Sequence, residues 1–500
     1  MNIGKELAAI FLKFPVRFRI GTDSDQISYP TVLSSWRNEA MGFRNASSSQ
    51  KMSAFVLMAG CAGGMGAFAQ SVPESDAQEP PRVGLHAQTT YIWQAKPAFN
   101  AAYSGPNSLS PLQEKSYSFT VTGDFGLRLW DGAQVHLNPE GAQGVPLSNL
   151  LGAGGISNGE LARGSSTTLL TYRARFFFQR INVGGELEAV EPGFNEMGGK
   201  SAEKRWTITV GNFSLLDYFD TNPYAKDPRS QFTNWSFLTH GGWDYAADAR
   251  GYTVAAMAEY RAPGWAVRAA RAMQPRESNG LALDEALGRH YGDQLEVESD
   301  LPFAAPGGPM RGRALVFRNR ILAGSFADAL VLAGASGGVP DVGLVRRDQT
   351  KTGWGLTLEV PLSDASGLFL RASGTSGNLE TYAFAEIDSQ WALGGQLSGA
   401  SWGRSQDRLG IAYAVNGLSD THRAYLNAGG LGFFLGDGQI NYGSERVFES
   451  YYRLALPEWG TRIGKIQSAL SGGIQYITNP GYNRDRGPVT TYTLRWHSEF

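Results

Sequence analysis

Between residues 117 and 130 the chain reads YSFTVTGDFGLRLW, and its character alternates from residue to residue. Phe119, Val121, Phe125, Leu127 and Leu129 share one parity; Ser118, Thr120, Thr122, Asp124, Arg128 and Trp130 share the other. Successive side chains of a strand point to opposite faces, so this run has one apolar and one polar side. Asp131-Gly132 follows, a pair suited to a tight hairpin turn. Ala133, Val135 and Leu137 then alternate with Gln134, His136 and Asn138.

The pattern recurs. Tyr172, Ala174, Phe176 and Phe178 oppose Thr171, Arg173, Arg175 and Gln179, and comparable alternation runs through 205–210, 354–360 and 450–456. In the last stretch, TTYTLRWHSEF, Tyr492, Leu494, Trp496 and Phe500 share a face, opposite Thr491, Thr493, Arg495, His497 and Glu499. A terminal aromatic on an alternating strand is a hallmark of outer-membrane barrels and an assembly signal, here Phe500. A secreted sandwich also alternates, but its strands average about 5–6 residues. These runs are nearer the ~9–11 of a tilted membrane strand. Tight turns at 262–264 and 363–367 alternate with long stretches at 139–168, 214–250, 274–293 and 325–350, as in bacterial barrels. The reading is all-β: a transmembrane antiparallel β-barrel of about 16 strands, within a range of 16–18, enclosing water.

Composition agrees. Gly contributes 63 of 500 residues, aromatics 12% and charged residues only 18%. A formal charge of -2 lacks the basic footprint of a nucleic-acid binder. The single cysteine, Cys61, excludes a disulfide framework or a multi-cysteine metal site. With six scattered histidines, no metal or cofactor is expected.

Residues 52–69, MSAFVLMAGCAGGMGAFA, follow basic residues and end in an Ala-x-Ala site. They read as a signal peptide spanning 41–69, cleaved between Ala69 and Gln70. Residues 1–40 fit no part of that scheme and are expected to be a start-site artefact, with translation from Met41. Met58-Ala59-Gly60-Cys61 also resembles a lipoprotein box, so lipidation of Cys61 is the competing reading. Beyond the leader, 70–115 is expected to hold an N-terminal segment and a first strand candidate, and 116–500 the barrel.

Catalytic signals are sparse. Gly334-Ala335-Ser336-Gly337-Gly338 matches GxSxG, which needs a strand-turn-helix setting. Gly and Ser are frequent enough here for chance to supply it. No enzyme is expected; the remaining chemistry is that of a pore lining. Asp124, Arg128, Arg173 and Arg175 are candidate lumen charges, since charged rings at a constriction set selectivity. Trp130 lies on the polar face, where a ring could stack on a sugar, although a girdle position beside the turn is equally open to it. If 139–168 folds inward, Glu140 or Glu160 would face Arg173 and Arg175.

Several blocks resemble the OprB-type carbohydrate-selective porins. They are YSGPNSL at 103–109, LRLWDGAQVHLNPE at 127–140 and NGE at 158–160. The longest is GNFSLLDYFDTNPYAKDPRSQFTNW at 211–235, followed by WDYAADARGYT at 243–253. ESYYRLAL at 449–456 and QYITNPGYNRDRGPV at 475–489 complete the set. The resemblance implies a 16-stranded bacterial outer-membrane barrel passing sugars by passive diffusion, with a periplasmic segment at about 70–115. Its partners would be permeating sugars, outer-membrane lipid and the barrel-assembly machinery, with a homotrimer as the assembly to consider. Competing functions are a general or anion-preferring porin and, from another class, an outer-membrane enzyme or adhesin.

Overall fold

The computed structural model describes residues 81–163, 165–384, 386–460 and 464–500. Sixteen long strands form the wall. They are β1 (Val83–Lys96), β2 (Glu114–Trp130), β3 (Ala133–Val145), β4 (Leu170–Val183), β5 (Arg205–Phe213), β6 (Thr253–Ala262), β7 (Trp265–Ala272) and β8 (Tyr291–Ala305). The second half comprises β9 (Gly308–Ala323), β10 (Arg347–Ser363), β11 (Ser366–Thr375), β12 (Ser389–Gly399), β13 (Arg404–Gly417), β14 (Glu445–Ala455), β15 (Lys465–Thr478) and β16 (Val489–Glu499). Each pairs antiparallel with the next. The ring closes where β16 returns to β1, from Gln88↔Glu499 to Ala95↔Tyr492. A two-residue strand, Trp459–Gly460, extends the rim against β15.

Burial is inverted relative to a soluble protein. Ser118, Thr120, Thr122 and Asp124 are at most 2% exposed, whereas Phe125 and Leu127 are 41% and 47% exposed. The polar parity faces inward and the apolar parity outward, as a wall surrounded by hydrocarbon requires. Among the described residues no helix is long and apolar enough to cross a membrane.

Short connections at 131–132, 263–264, 306–307 and 364–365 lie at one end of the barrel. Gly132 and Gly264 take φ of 70° and 76° there, a conformation glycine adopts without a Cβ clash. Most long connections lie at the other end; the exception is 184–204, which follows β4 at the short-turn end. Of the stretch 70–115, residues 83–96 are wall and 97–113 form the first long connection. The proposed artefact 1–40, the signal 41–69, Cys61, Ala69 and Gln70 lie outside the described residues.

Three features depart from expectation. Residues 139–145 continue β3, so the second long connection begins at 146. The stretch 325–350 contains a helix, α1 (Phe326–Ser336), begun by the Ser325 side chain accepting from the Asp328 N–H and ended by Gly337 at φ 73°. Ser336 therefore sits at a helix end, its hydroxyl 3.4 Å from the Ala333 carbonyl, rather than on a strand-to-helix elbow. A second helix, α2 (Asp420–Asn427), packs beside it through Phe326 stacked on His422 at 4.2 Å.

The third departure is inside. The barrel is not simply water-filled, because parts of 146–163 and the long segment 214–252 fold into it. Phe219, Trp235, Leu238, Trp243 and Tyr245 pack with wall residues such as Phe177, Phe213 and Ala255. Phe232 and Phe237 pack on Phe369, Ala392, Ala414 and Tyr451. Burying a side chain of this size contributes about 1.5–3 kcal/mol, and the small wall alanines give the rings room.

Phe500 completes the seam. Its N–H donates to the Ala87 carbonyl at 2.8 Å, and its carbonyl accepts from the Ala87 N–H at 3.1 Å. Its ring covers Gly464, where a Cβ would find no room. Deleting Phe500 removes both bonds and the ring, whereas Glu499→Gln preserves the backbone register. The deletion is expected to yield several-fold less heat-modifiable barrel in membranes, with Glu499→Gln near wild type. Equal amounts of both would show that assembly does not use the terminal residue.

Candidate functional site

A chain segment buried inside a barrel must find partners for its own N–H and C=O groups. The wall supplies them. The Glu449 carboxylate accepts from the N–H groups of Thr233 (2.7 Å) and Asn234 (2.9 Å). Arg495 donates to the carbonyls of Pro228 (2.8 Å) and Gln231 (2.6 Å). Arg371 donates to those of Ala225 and Phe237, both at 2.7 Å. For the shorter inward segment, Glu445 accepts from Gly154 (2.9 Å) and Gly155 (3.0 Å). Gln94 and Gln475 donate to the Ser157 carbonyl.

The two inward segments meet the wall at Arg229. Its Nε lies 2.6 Å from Glu160 Oε1, and its Nη2 lies 3.0 Å from Glu140 Oε2. Glu140 also accepts from Thr122 (2.7 Å), Tyr172 (2.5 Å) and Tyr252 (3.1 Å). Thr120 donates to Glu160 at 2.9 Å. Both glutamates and Arg229 are buried, so this junction ties the inward segments to the wall rather than presenting bare charge to the channel.

The expected opposition of Glu140 or Glu160 to Arg173 and Arg175 is therefore replaced. Among the described residues Arg229 bonds both glutamates. Arg175 faces inward but grips Asp217 with two bonds of 2.8 and 2.7 Å, and lies over the Tyr252 ring at 5.2 Å.

Arg173 does not line the pore. Asn138 pairs with Arg175 but Pro139 with Arg173, so Ala174 is a bulge. One extra residue reverses the parity above it, leaving Arg173 on the outer surface over the Phe176 ring at 5.9 Å. Trp130 is displaced the same way. The register slips between Arg128 and Trp130, and the indole packs on outward Phe178 at 6.2 Å. It is a girdle ring, not a lumen platform.

Asp124 and Arg128 do face inward, near the tight-turn end. There the connection 184–204 forms a small hairpin, Glu188–Val190 against Gly199–Ser201, and tucks its tip into the barrel mouth. Asp124 accepts from the Asn195 N–H at 2.7 Å and contacts His136 Nδ1 at 2.8 Å. Gln134 accepts from the Met197 N–H at 3.1 Å, and Arg128 donates to the Gly198 carbonyl. Paired Gly84 and Gly126 leave the space that the Met197 sulfur occupies.

Across β6 to β10 a belt of ion pairs crosses the inner wall. Glu259 and Arg268 are 2.8 Å apart, Arg268 also pairs with Glu296 and Glu298, and Arg313 pairs with Glu298 and Glu359. Half-buried Arg311 and Asp300 continue it at 2.8 Å. Two strands away on β4, the half-buried Tyr172 ring lies under Arg250 of the inward segment, whose guanidinium is 4.4 Å from the ring centre. Arg229, Asp217 and Arg250 anchor the inward segment, and strand alternation could not single them out; they lie in the long motif blocks at 211–235 and 243–253. Among the described residues no group of His, Cys, Asp and Glu is placed to hold a metal.

A family model described as "Carbohydrate-selective porin, OprB family" matches residues 107–500. No curated protein matches the chain in sequence. Among solved structures, Pseudomonas putida OprB at high pH is similar at 15% identity and a TM-score of 0.59, covering 84% of this chain and 94% of that one. The channel DcaP of Acinetobacter baumannii matches at 12% identity and a TM-score of 0.43, covering 84% and 97%. OccK11 of Pseudomonas aeruginosa matches at 13% and 0.39, covering 84% and 95%.

The Arg229 junction makes a direct test possible. Removing one partner of a buried ion pair costs about 3–5 kcal/mol. Arg229→Gln is expected to lower the temperature of heat modification and raise single-channel conductance as 214–252 loosens. Arg173→Gln, on the outer surface, should change neither. Wild-type behaviour of Arg229→Gln would remove the junction from the narrowing.

Proposed function

The chain belongs to the OprB family of carbohydrate-selective porins and is an outer-membrane porin for carbohydrates, and from that premise we propose where the lumen selects its solutes. Family and fold indicate a channel rather than an enzyme. Passage is passive, down a gradient, with binding weak enough to release. The selecting surface is the narrowing where the inward segment 214–252, at Arg250, meets the wall at Tyr172.

The observation supporting this reading is a near balance of charge at high density. The belt sets five carboxylates, Glu259, Glu296, Glu298, Asp300 and Glu359, against four guanidiniums, Arg261, Arg268, Arg311 and Arg313, all at ion-pair distance. Opposite charges so close cancel at a distance, which leaves little net field to favour either sign of ion. The belt's inner members are buried, but half-exposed Arg261, Asp300 and Arg311 still offer donors and acceptors at its edge, and a sugar hydroxyl is both. The Tyr172 ring, ordered by Arg250, supplies a flat surface for the apolar face of a sugar ring. An anion-preferring pore is the second reading, favoured by Arg250, which has no carboxylate at ion-pair distance among the described residues.

Liposome swelling with sugars and size-matched neutral non-sugars separates sugar selection from simple sieving. Tyr172→Ala with Arg250→Ala should weaken sugar block of the current by roughly threefold to tenfold, the range an aromatic contact of about 0.5–1.5 kcal/mol gives. Unchanged block with reduced anion preference would favour the second reading.

We also infer export through the 41–69 signal, and recognition of the Phe500 strand by the barrel-assembly machinery. N-terminal sequencing of protein extracted from outer membranes should begin at Gln70. A chain beginning at a lipid-modified Cys61 would overturn that.

A further inference from the structure

The outer wall carries charge where β7, β8 and β9 approach the long-connection end. Arg271, Asp293 and Arg318 lie side by side across the three strands, and Tyr291 pairs with Arg320 one row further on. Their side chains face outward, on the parity of Leu295 and Val316, which are 43% and 52% exposed. The apolar surface ends at that row and guanidiniums begin. With the short turns on the periplasmic side, this boundary lies at the outer leaflet.

The cluster is ordered but not neutral. Arg271 is tied to Asp293 by bonds of 2.7 and 2.9 Å. Tyr291 holds both neighbours: the Arg271 guanidinium lies 4.1 Å and that of Arg318 5.6 Å from its ring centre. Arg318 also donates to the Tyr291 hydroxyl. The nearby Asp348 carboxylate is taken by Arg289 and His290. Among the described residues neither Arg318 nor Arg320 has a carboxylate at ion-pair distance, in contrast to the paired belt inside the lumen. Two exposed guanidiniums at the edge of hydrocarbon call for an anion from outside the chain.

We propose that Arg318 and Arg320 form a binding site for the phosphate of a phosphorylated glycolipid of the outer leaflet, with its acyl chains lying along Leu295 and Val316. A guanidinium matches phosphate with two parallel N–H donors. Tyr291 holds Arg318 in place before the lipid arrives, so less side-chain freedom is lost on binding. The site lies outside the channel and is independent of the sugar pathway.

The test uses the full chain in detergent, with native mass spectrometry reading the bound lipid. Bisphosphorylated lipid A should bind at least tenfold more tightly than the same lipid with both phosphates removed. Arg318→Gln with Arg320→Gln should abolish that difference, and Arg318→Lys with Arg320→Lys should keep part of it. Arg446→Gln, at an outward arginine on β14, should bind as wild type. Heat modification and sugar flux in all variants should match wild type, showing that barrel and channel are intact. Equal binding of both lipids, or undiminished preference in the double Gln variant, would overturn the site and leave two arginines that merely reach water. Displacement by inorganic phosphate at equal concentration would show a free-phosphate site instead.

Discussion

In hydrocarbon no water is available to an unpaired backbone group, so a spanning sheet cannot keep a free edge. The pairing of β16 with β1 meets that constraint, and the rest of the structure depends on it. Once the ring closes, every residue has a defined side. The outward parity can be uniformly apolar because nothing polar has to leave the wall there. The inward parity is then free to carry carboxylates, guanidiniums and amides. Phe500 lies at the seam itself, where its backbone exchanges two bonds with Ala87.

Closure sets the second problem, which is how wide the passage is. Sixteen strands enclose more space than wall side chains alone can fill. The chain narrows it with its own segments, and these bring buried peptide groups with them. Glu445, Glu449, Arg371 and Arg495 solve that problem from the wall, each bonding the backbone of an inward segment. Their charge therefore has a structural use before any solute arrives. The pairing of Arg229 with Glu140 and Glu160 belongs to the same scheme, joining 214–252, 146–163 and β3 at one point.

Architecture was legible in the sequence because strand alternation has a rigid period of two. The 117–128 part of the first run and the final aromatic strand occupy the faces that their parity assigned. Parity fails at a bulge, since one extra residue inverts it. That is why Arg173 and Trp130, both of inward parity by simple counting, stand on the outer surface. The helix α1 carried a local signal, Ser325 with Asp328 at its start and Gly337 after its end, that the surrounding glycine-rich stretch masked. The narrowing was the least legible part. Arg229 meets Glu140 across 89 positions of sequence, and no local period encodes such an encounter. Only the long motif blocks marked the region as constrained.

The distribution of charge joins these threads. The chain is nearly neutral overall, at -2, yet its inner wall is dense with ions. Buried pairs of this kind are often no more stabilising than apolar residues of the same volume, so stability alone does not account for the belt from Glu259 to Glu359. An apolar lining would pack as well but would exclude water, and with it any solute that must keep its hydrogen bonds during passage. A lining of one sign would stay wet but would concentrate counter-ions and let them outnumber neutral solutes. Paired charges avoid both outcomes: the buried pairs largely cancel one another's fields, while half-exposed Arg261, Asp300 and Arg311 at their edge keep a polar surface for water and hydroxyls. In a pore for carbohydrates, the desolvation cost of those pairs maintains a polar path with little net charge.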